Sequence, residues 1–430
     1  MNKQHSICLL NDSFPPLVDG VANVMVNYAE QFLKHGFHPV VITPSHPQAD
    51  DRSFAYPILR YPSIDLRKQT GYMAGFPFSP EVAHQVSKGK VSILHSHCPI
   101  VSTLMARELR QITDAPLVLT YHTKYDIDIA NTIQSNALQI SSKKALLNNI
   151  NACDEVWTVS QGAGENLRML GYEGDYTVMP NGVDLPRGRV DDDRIAATTG
   201  AWQFPECVPT YLFVGRLMWY KGIRIILDAL AALKHEGLPF RMVFIGDGAD
   251  RKAIEQYALD AGISEWCYFT GTIVEREFLR AWYCKADLFL FPSTFDTNGL
   301  VVREAAACSL PSVLIRGSAA AEGITDHRNG YLIDENPESL NQLLRNCRIS
   351  GDKVRSVGET ANQELYISWE ESAAKVLEQY QMIDEKNRRG VYTRRHNASE
   401  KMLRLNGELM EGLGNIRHAV KRHTDHKGWV

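Results

Sequence analysis

Ala286-Asp-Leu-Phe-Leu-Phe-Pro-Ser293, followed at once by Phe295-Asp-Thr-Asn-Gly-Leu-Val-Val-Arg-Glu304, decides how the second half of this chain folds. The first run is apolar through its interior and reads as a buried strand, and Gly299 to Cys308 reads as the start of a helix. A loop between strand and helix points backbone N–H groups at whatever lies beyond the sheet. Asp296 and Glu304 stand eight positions apart around Gly299. Amides for phosphates and carboxylates for vicinal hydroxyls suit a bound sugar nucleotide. Acidic residues in a helix's first turns for dipole reasons also account for Asp296, but not for Glu304 beside Ala305-Ala-Ala307.

The same strand-then-helix alternation runs outward in both directions. Tyr211–Val214, Arg241–Ile245, Trp266–Thr270, Leu288–Phe291 and Ser312–Ile315 are its short apolar strands in the second half. Ser6–Leu10, Pro39–Thr43, Ser92–His95, Leu117–Tyr121 and Glu155–Val159 repeat the plan in the first, with helical patterns such as Val24 to His35 between them. Alternation of this kind builds parallel sheets, so the expected fold is α/β with two doubly wound, Rossmann-like domains. The polar stretch from Leu185 to Pro209, with Asp191-Asp-Asp193, interrupts the apolar periodicity. It sets domains at 1–190 and 191–365, a helix over 366–385 returning toward the first domain, and an extension over 386–430.

Composition limits the classes of function. A chain of 430 residues, 44% hydrophobic and 22% charged, is long enough for two well-packed domains. A formal net charge of −4 argues against a protein that coats nucleic acid. The eight cysteines are scattered singly, without zinc-type or disulfide-dense spacing, which fits reduced thiols in the cytoplasm. Met1 to Ile7 is polar, so no signal peptide is expected. No apolar stretch reaches the ~20 residues of a spanning helix, so contact with a membrane is expected to be peripheral.

The extension differs in character. From Lys386 to Val430 eleven Lys or Arg stand against four Asp or Glu, a local charge of +7 in an otherwise acidic chain. Met402, Leu405, Leu409, Leu413, Ile416 and Val420 recur at steps of three and four and mark one helix face, weakened by Gly407, Gly412 and Gly414. Two readings stand side by side: a helix packed on protein, or a helix lying on an anionic lipid surface.

Candidate phosphate ligands follow the first strand of the second domain, in Val214-Gly-Arg-Leu-Met-Trp-Tyr-Lys-Gly222. The guanidinium of Arg216 and the ammonium of Lys221 would neutralise a diphosphate leaving group without a metal ion. Exposed loop cations at such spacing are common by themselves. Gly246-Asp-Gly248 has the first two glycines of a dinucleotide fingerprint, but Arg251 stands where the third is needed, so it reads as a tight turn.

The Asp296 to Glu304 run and the Gly-Arg-…-Lys segment together resemble the signature of family 4 retaining glycosyltransferases of the GT-B fold, with Asp296 at the place where the family usually has the first of two Glu. The resemblance covers about residues 5 to 380. It implies two domains facing across a cleft, the first on the acceptor side and the second binding the nucleotide sugar. It implies donor contacts from Gly20, Gly215, Arg216, Lys221, Ile273, Asp296, Asn298, Gly299, Leu300 and Glu304, and a histidine, His122, beside the reacting sugar at the end of a strand. It implies no cofactor and no metal, so Asp126-Ile-Asp128 is read as coincidental. It also implies retention through same-face attack, the leaving phosphate helping to deprotonate the acceptor. His95 and His97 resemble the family's second histidine segment, for an acceptor-side or structural role or, less in keeping, a metal.

Tyr121-His-Thr-Lys-Tyr125 and Asp296-Thr-Asn-Gly-Leu300 look closest to bacterial diacylglycerol glucosyltransferases and related glycolipid synthases. That implies a UDP-hexose donor, glucose or galactose, a lipid acceptor, and a place on the inner face of the cell membrane. Arg67, Lys68, Tyr72, Met73, Phe76 and Phe78 mix cations with large apolar groups as an interfacial loop would, and as an ordinary packed loop would. A sugar or polysaccharide precursor is the rival acceptor. A nucleotide-sugar epimerase and a non-catalytic, membrane-bound sensor of nucleotide sugar are the readings from other classes.

Overall fold

The computed structural model describes residues 5–17, 19–67, 73–123, 125, 129, 135–200, 208–296, 299–349, 351–392 and 398–425. The chain divides into two compact units, Met1–Pro180 with Trp369–Val430, and Asn181–Ser368.

The first unit holds β1 (Ser6–Leu10), α1 (Gly20–Lys34), β2 (His38–Pro44), β3 (Ile58–Tyr61), β4 (Ser63–Asp65), β5 (Met73–Gly75), α2 (Pro80–Lys88), β6 (Val91–Ser96), α3 (Val101–Thr113), β7 (Leu117–Tyr121), α4 (Asn136–Asn151), β8 (Glu155–Thr158), α5 (Gln161–Leu170) and β9 (Thr177–Val178). Its described sheet runs β3-β2-β1-β6-β7-β8-β9 with parallel pairings, and β4 and β5 form a separate antiparallel hairpin. Every residue of β7 is buried, as expected of a parallel strand covered on both faces.

The second unit holds α6 (Asp192–Thr199), β10 (Thr210–Val214), α7 (Ile223–His235), β11 (Arg241–Ile245), α8 (Arg251–Asp260), β12 (Cys267–Gly271), α9 (Arg276–Lys285), β13 (Leu288–Leu290), α10 (Leu300–Ala307), β14 (Ser312–Ile315), β15 (Tyr331–Ile333), α11 (Pro337–Ile349) and α12 (Gly351–Glu364). Its parallel sheet runs β12-β11-β10-β13-β14-β15. In both sheets the strand order reverses beside the first strand, the arrangement that leaves a ligand crevice beyond the strands' carboxyl ends.

The edge strands β3, β9 and β15 and the β4–β5 hairpin are additions to the sequence reading. They are two to four residues long, too short to carry a period. The division falls after Pro180 and after Ser368, not at 190 and 365; Leu185, ahead of the expected boundary, already enters the second unit's core. The polar stretch chosen as a boundary contains α6, whose Ile195 and Thr199 are buried.

The chain returns to the first unit as α13 (Trp369–Arg388), then α14 (Ala398–Asp425). On α13, Trp369 meets Tyr28 edge-on, and Tyr380 stacks on Trp157 while its hydroxyl lies 2.5 Å from His95 Nδ1. Helix α14 packs on α2 and α3 through a face other than the apolar stripe read from the sequence. Leu403 is buried; Gly407 lies against Glu108 and Ile112, and Gly414 against Pro80 and His84. A Cβ on Gly414 would sit 2.3 Å from the Pro80 carbonyl oxygen, so that glycine permits the close approach instead of weakening the helix. Arg107 and Glu400 form a buried ion pair at 2.6 Å across the seam, and Arg110 and Gln111 also donate to Glu400. The stripe faces outward: Met402 is 72% exposed, Leu405 68%, Leu409 56% and Leu413 43%.

Candidate active site

Four loops at the carboxyl ends of β10, β11, β12 and β13 build the site in the second unit. The backbone of Leu217 receives a hydrogen bond from Asp250 N and gives one to Asp247 O, and Asp250 Oδ2 accepts from Trp219 N at 2.9 Å. A Cβ on Gly246 would fall 1.9 Å from Gly215 O, and one on Gly248 would fall 2.3 Å from Leu217 O. Gly246-Asp-Gly248 is therefore a packing turn that lets two loops touch. Gly271 O accepts from Gly246 N at 2.9 Å and ties in the next loop, where Ile273 is half-buried against the core.

Gly222, at φ +75° and with its Cβ position 2.0 Å from Pro292 O, presses the β10 loop onto the loop after β13. That contact unites two residues 75 positions apart. Lys221 Nζ lies 2.5 Å from Asp296 Oδ1, the lysine side chain 8% exposed and the aspartate 24%. Ser293 Oγ donates to the other carboxylate oxygen at 2.6 Å. The rings of Phe295, Tyr220 and Phe291 lie 5.6, 5.7 and 5.9 Å from the ammonium, so cation–π attraction adds to the ion pair. Arg216, on the same loop, is exposed, and its guanidinium has no hydrogen-bond or ion-pair partner among the described residues.

Gly299 adopts φ +53° and starts α10, with Leu300 as its first helical residue. Asn298 lies outside the described residues, as do Lys68, Tyr72, Asp126 and Asp128. One turn into α10, Glu304 accepts from Tyr283 OH at 3.0 Å and lies 3.6 Å from Arg276 Nη1. Arg276 also pairs with Asp184 at 2.6 Å. Burial raises the Glu304 carboxyl above the usual carboxylate range, against the opposing pull of Arg276 and the Tyr283 hydroxyl. The sequence reading missed Tyr283, Arg276 and Ser293. The spacing of Arg276, Arg280 and Tyr283 along one face of α9 was a faint signal for two of them.

In the first unit, Gly20 begins α1 beyond β1, exposed and with open space where a Cβ would be. Asp19 caps this helix by accepting from Ala22 N at 2.7 Å. His122 follows β7, nearly buried, with Nε2 2.9 Å from His97 Nδ1. Burial lowers His122 to about 3, so it is a neutral imidazole at physiological pH. His97 is lowered as well, by burial and by the neighbouring histidines, and its Nε2 has no hydrogen-bond partner among the described residues. His95 has both ring nitrogens engaged, by Tyr380 OH and by Thr120 Oγ1 at 2.7 Å, which makes it a structural tie between sheet and α13. Asp12 accepts from the backbone N–H groups of Val101 and Ser102 and from Cys98 Sγ, and so caps α3.

Two parallel Rossmann-like units, with cations and carboxylates gathered on the loops of the second, define a GT-B-fold glycosyltransferase. The chain belongs to glycosyltransferase family 4. The family model described as Glycosyltransferase Family 4 matches residues 18–187, and that described as Glycosyl transferases group 1 matches residues 208–347. The chain is 22% identical over 351 residues to the alpha-monoglucosyldiacylglycerol synthase of Acholeplasma laidlawii, covering 79% of this chain and 87% of the relative. It is 26% identical to a GDP-mannose-dependent alpha-mannosyltransferase of Corynebacterium glutamicum, over 76% of each chain. Among solved structures, HepE of Anabaena in complex with UDP-glucose superposes with a TM-score of 0.69 at 17% identity, covering 88% of this chain and 99% of that one. Such a likeness establishes the fold.

Proposed function

We propose that this protein moves a hexose, glucose or galactose, from a UDP-sugar to a lipid acceptor such as diacylglycerol, with retention of configuration, at the cytoplasmic face of the membrane. The observation that carries the reading is the set of groups on the second unit's loops. Arg216 is exposed and unengaged, Lys221 is held by Asp296, and Glu304 sits on α10. As the bond to the anomeric carbon breaks, charge grows on the departing diphosphate. Arg216 and Lys221 would stabilise it from preorganised positions, with the α10 N–H groups beside Gly299 and Leu300, without a metal ion. Asp296 would pass its ammonium partner toward phosphate and hydrogen-bond the donor sugar, and Glu304 would accept from ribose hydroxyls. His122, neutral and steadied by His97, would hydrogen-bond the sugar as a dipole and not as a cation.

The lipid acceptor draws support from a different surface. Helix α14 presents four large apolar side chains to solvent in a tail of net charge +7, which suits an anionic bilayer. Ile64, Phe76 and Phe78, on and just after the β4–β5 hairpin, are also exposed. Phe78 lies two residues before Pro80, which meets Gly414, so the Leu413 end of the stripe and Phe78 lie toward the same end of α2. Among the described residues no helix is long and apolar enough to cross a membrane. The likeness to an alpha-monoglucosyldiacylglycerol synthase and to HepE in complex with UDP-glucose favours this donor and acceptor.

The test is a screen of radiolabelled UDP-glucose, UDP-galactose and GDP-mannose against a total lipid extract, with anomeric configuration read by NMR. Label entering an α-linked, chloroform-soluble product from a UDP-hexose is expected. Label passing only to water-soluble saccharides refutes the lipid acceptor; transfer only from GDP-mannose refutes the donor; a new nucleotide sugar formed without acceptor establishes an epimerase instead.

A further inference from the structure

Arg276 is the first residue of α9, and Tyr283 lies two turns further along, so both side chains leave the same face of that helix. That face meets Glu304. Tyr283 OH donates to Glu304 Oε2 at 3.0 Å, and Arg276 Nη1 lies 3.6 Å from Oε1, so each carboxylate oxygen has its own neighbour. Among the described residues Arg276 is the one cation within ion-pair distance of Glu304. The other end of the guanidinium is held more closely, because Arg276 Nη2 donates to Asp184 Oδ2 at 2.6 Å.

Asp184 is a fixed point. On one side of it, Val183 donates its backbone N–H to Ile367 O at 3.1 Å and pairs with Ser368; on the other, Leu185 is buried in the second unit's core. An arginine side chain 45% exposed in a helix's first turn would otherwise sample many rotamers. Asp184 removes that freedom and sets the guanidinium between two carboxylates. Asp184 is 25% exposed and Glu304 12%, so Glu304 has less water to support its charge and gains more from the cation. Tying α9 to the segment before Leu185 requires only the Asp184 contact. The second contact places the cation at the carboxylate assigned to the donor.

We propose that Arg276, anchored by Asp184, is a positioning residue that holds Glu304 as a carboxylate aimed at the ribose hydroxyls of the donor nucleotide. A charged acceptor binds those hydroxyls more strongly than a neutral carboxyl does. Arg276 acts through Glu304 and touches no reacting atom. The titratable and charged groups that face Glu304 are Arg276 and Tyr283 from α9 and Asp184 from the segment before Leu185. Arg276 and the Tyr283 hydroxyl favour the ion, whereas burial and Asp184 oppose it. Without Arg276, Glu304 therefore titrates at higher pH. The carboxylate exists above that titration, so the ribose contact fades as pH falls, and it fades sooner than in the native protein.

The role of Arg276 rests on Glu304 being a ribose ligand, and one experiment separates the two. Binding of UDP, 2′-deoxy-UDP and 3′-deoxy-UDP to the full chain is measured by calorimetry from mildly acidic to mildly basic pH, for the native protein, Arg276→Met, Arg276→Lys and Glu304→Gln. Arg276→Met should weaken UDP about tenfold at the acidic end, the difference between a charge-assisted and a neutral hydrogen bond. That loss should shrink as pH rises, and the preference for UDP over the deoxy analogues should fall in step with it. Arg276→Lys keeps the charge and should recover most of the affinity. Should Arg276→Met leave UDP binding unchanged, or weaken all three ligands equally at every pH, while Glu304→Gln loses the preference for UDP, the positioning role alone is overturned. Should Glu304→Gln retain the native preference over both analogues, the ribose reading falls and the positioning role with it.

Discussion

The ion pair between Lys221 and Asp296 gives the sharpest test of the site, because it predicts effects of opposite sign. At 2.5 Å the Coulomb attraction is about 6–7 kcal/mol for an effective dielectric of about 20. Desolvation of an ammonium whose side chain is 8% exposed offsets most of it, leaving a pair coupling of about 1–3 kcal/mol. A double-mutant cycle of Lys221→Met and Asp296→Asn, followed by denaturant unfolding, measures that coupling. The same four proteins are then titrated with UDP. Lys221→Met loses a charge-assisted hydrogen bond to phosphate, about 1.5–3 kcal/mol, and lowers kcat about 10²–10³-fold. Asp296→Asn leaves the ammonium unshared, so UDP binds more tightly while stability and sugar transfer both fall. A coupling under about 0.5 kcal/mol, or a UDP Kd unchanged by Lys221→Met, refutes the reasoning.

Three further outcomes follow from the structure. Glu108 on α3 is buried with both carboxyl oxygens unpartnered among the described residues, facing Asn406 on α14, and burial pushes it up to about 8. The folded state therefore holds this proton more tightly than the unfolded chain, so stability contributed by Glu108 declines as pH rises from about 4.5 to 8, by at most ~1.4 kcal/mol per pH unit. Glu108→Gln should flatten that decline in thermal melts, and an unchanged slope counts against it. Gly414→Ala should destabilise by about 1–3 kcal/mol through overpacking, whereas Gly412→Ala, with nothing within 4 Å, should stabilise by up to ~1 kcal/mol; equal effects in chemical denaturation remove the close-packing account of the seam. Leu405→Glu with Leu409→Glu should leave the melting temperature in place, since both side chains are exposed, and abolish sedimentation with anionic vesicles; retained sedimentation removes α14 from membrane contact.

Much of this protein was legible in its sequence. Parallel strands buried on both faces, such as Leu117–Tyr121 and Leu288–Phe291, announce themselves as apolar runs, and their alternation with helices leaves few topologies open. Arg216, Lys221, Asp296 and Glu304 were singled out because the segments that carry them resemble the family's signature. The edge strands escaped notice because two to four residues carry no period.

What the linear order could not supply is which distant groups share a space. Lys221 meets Asp296 because a Cβ-free Gly222 fits against Pro292, and Glu304 on α10 meets Tyr283 and Arg276 on α9. Helix α14 is the plainest case. Its period marks an apolar face correctly, yet that face is the outward one, because Gly407, Gly414 and the buried Glu400–Arg107 pair make the opposite side the better fit to α2 and α3. Periodicity is a property of one segment alone, whereas burial is decided by the shape and charge of whatever packs against it.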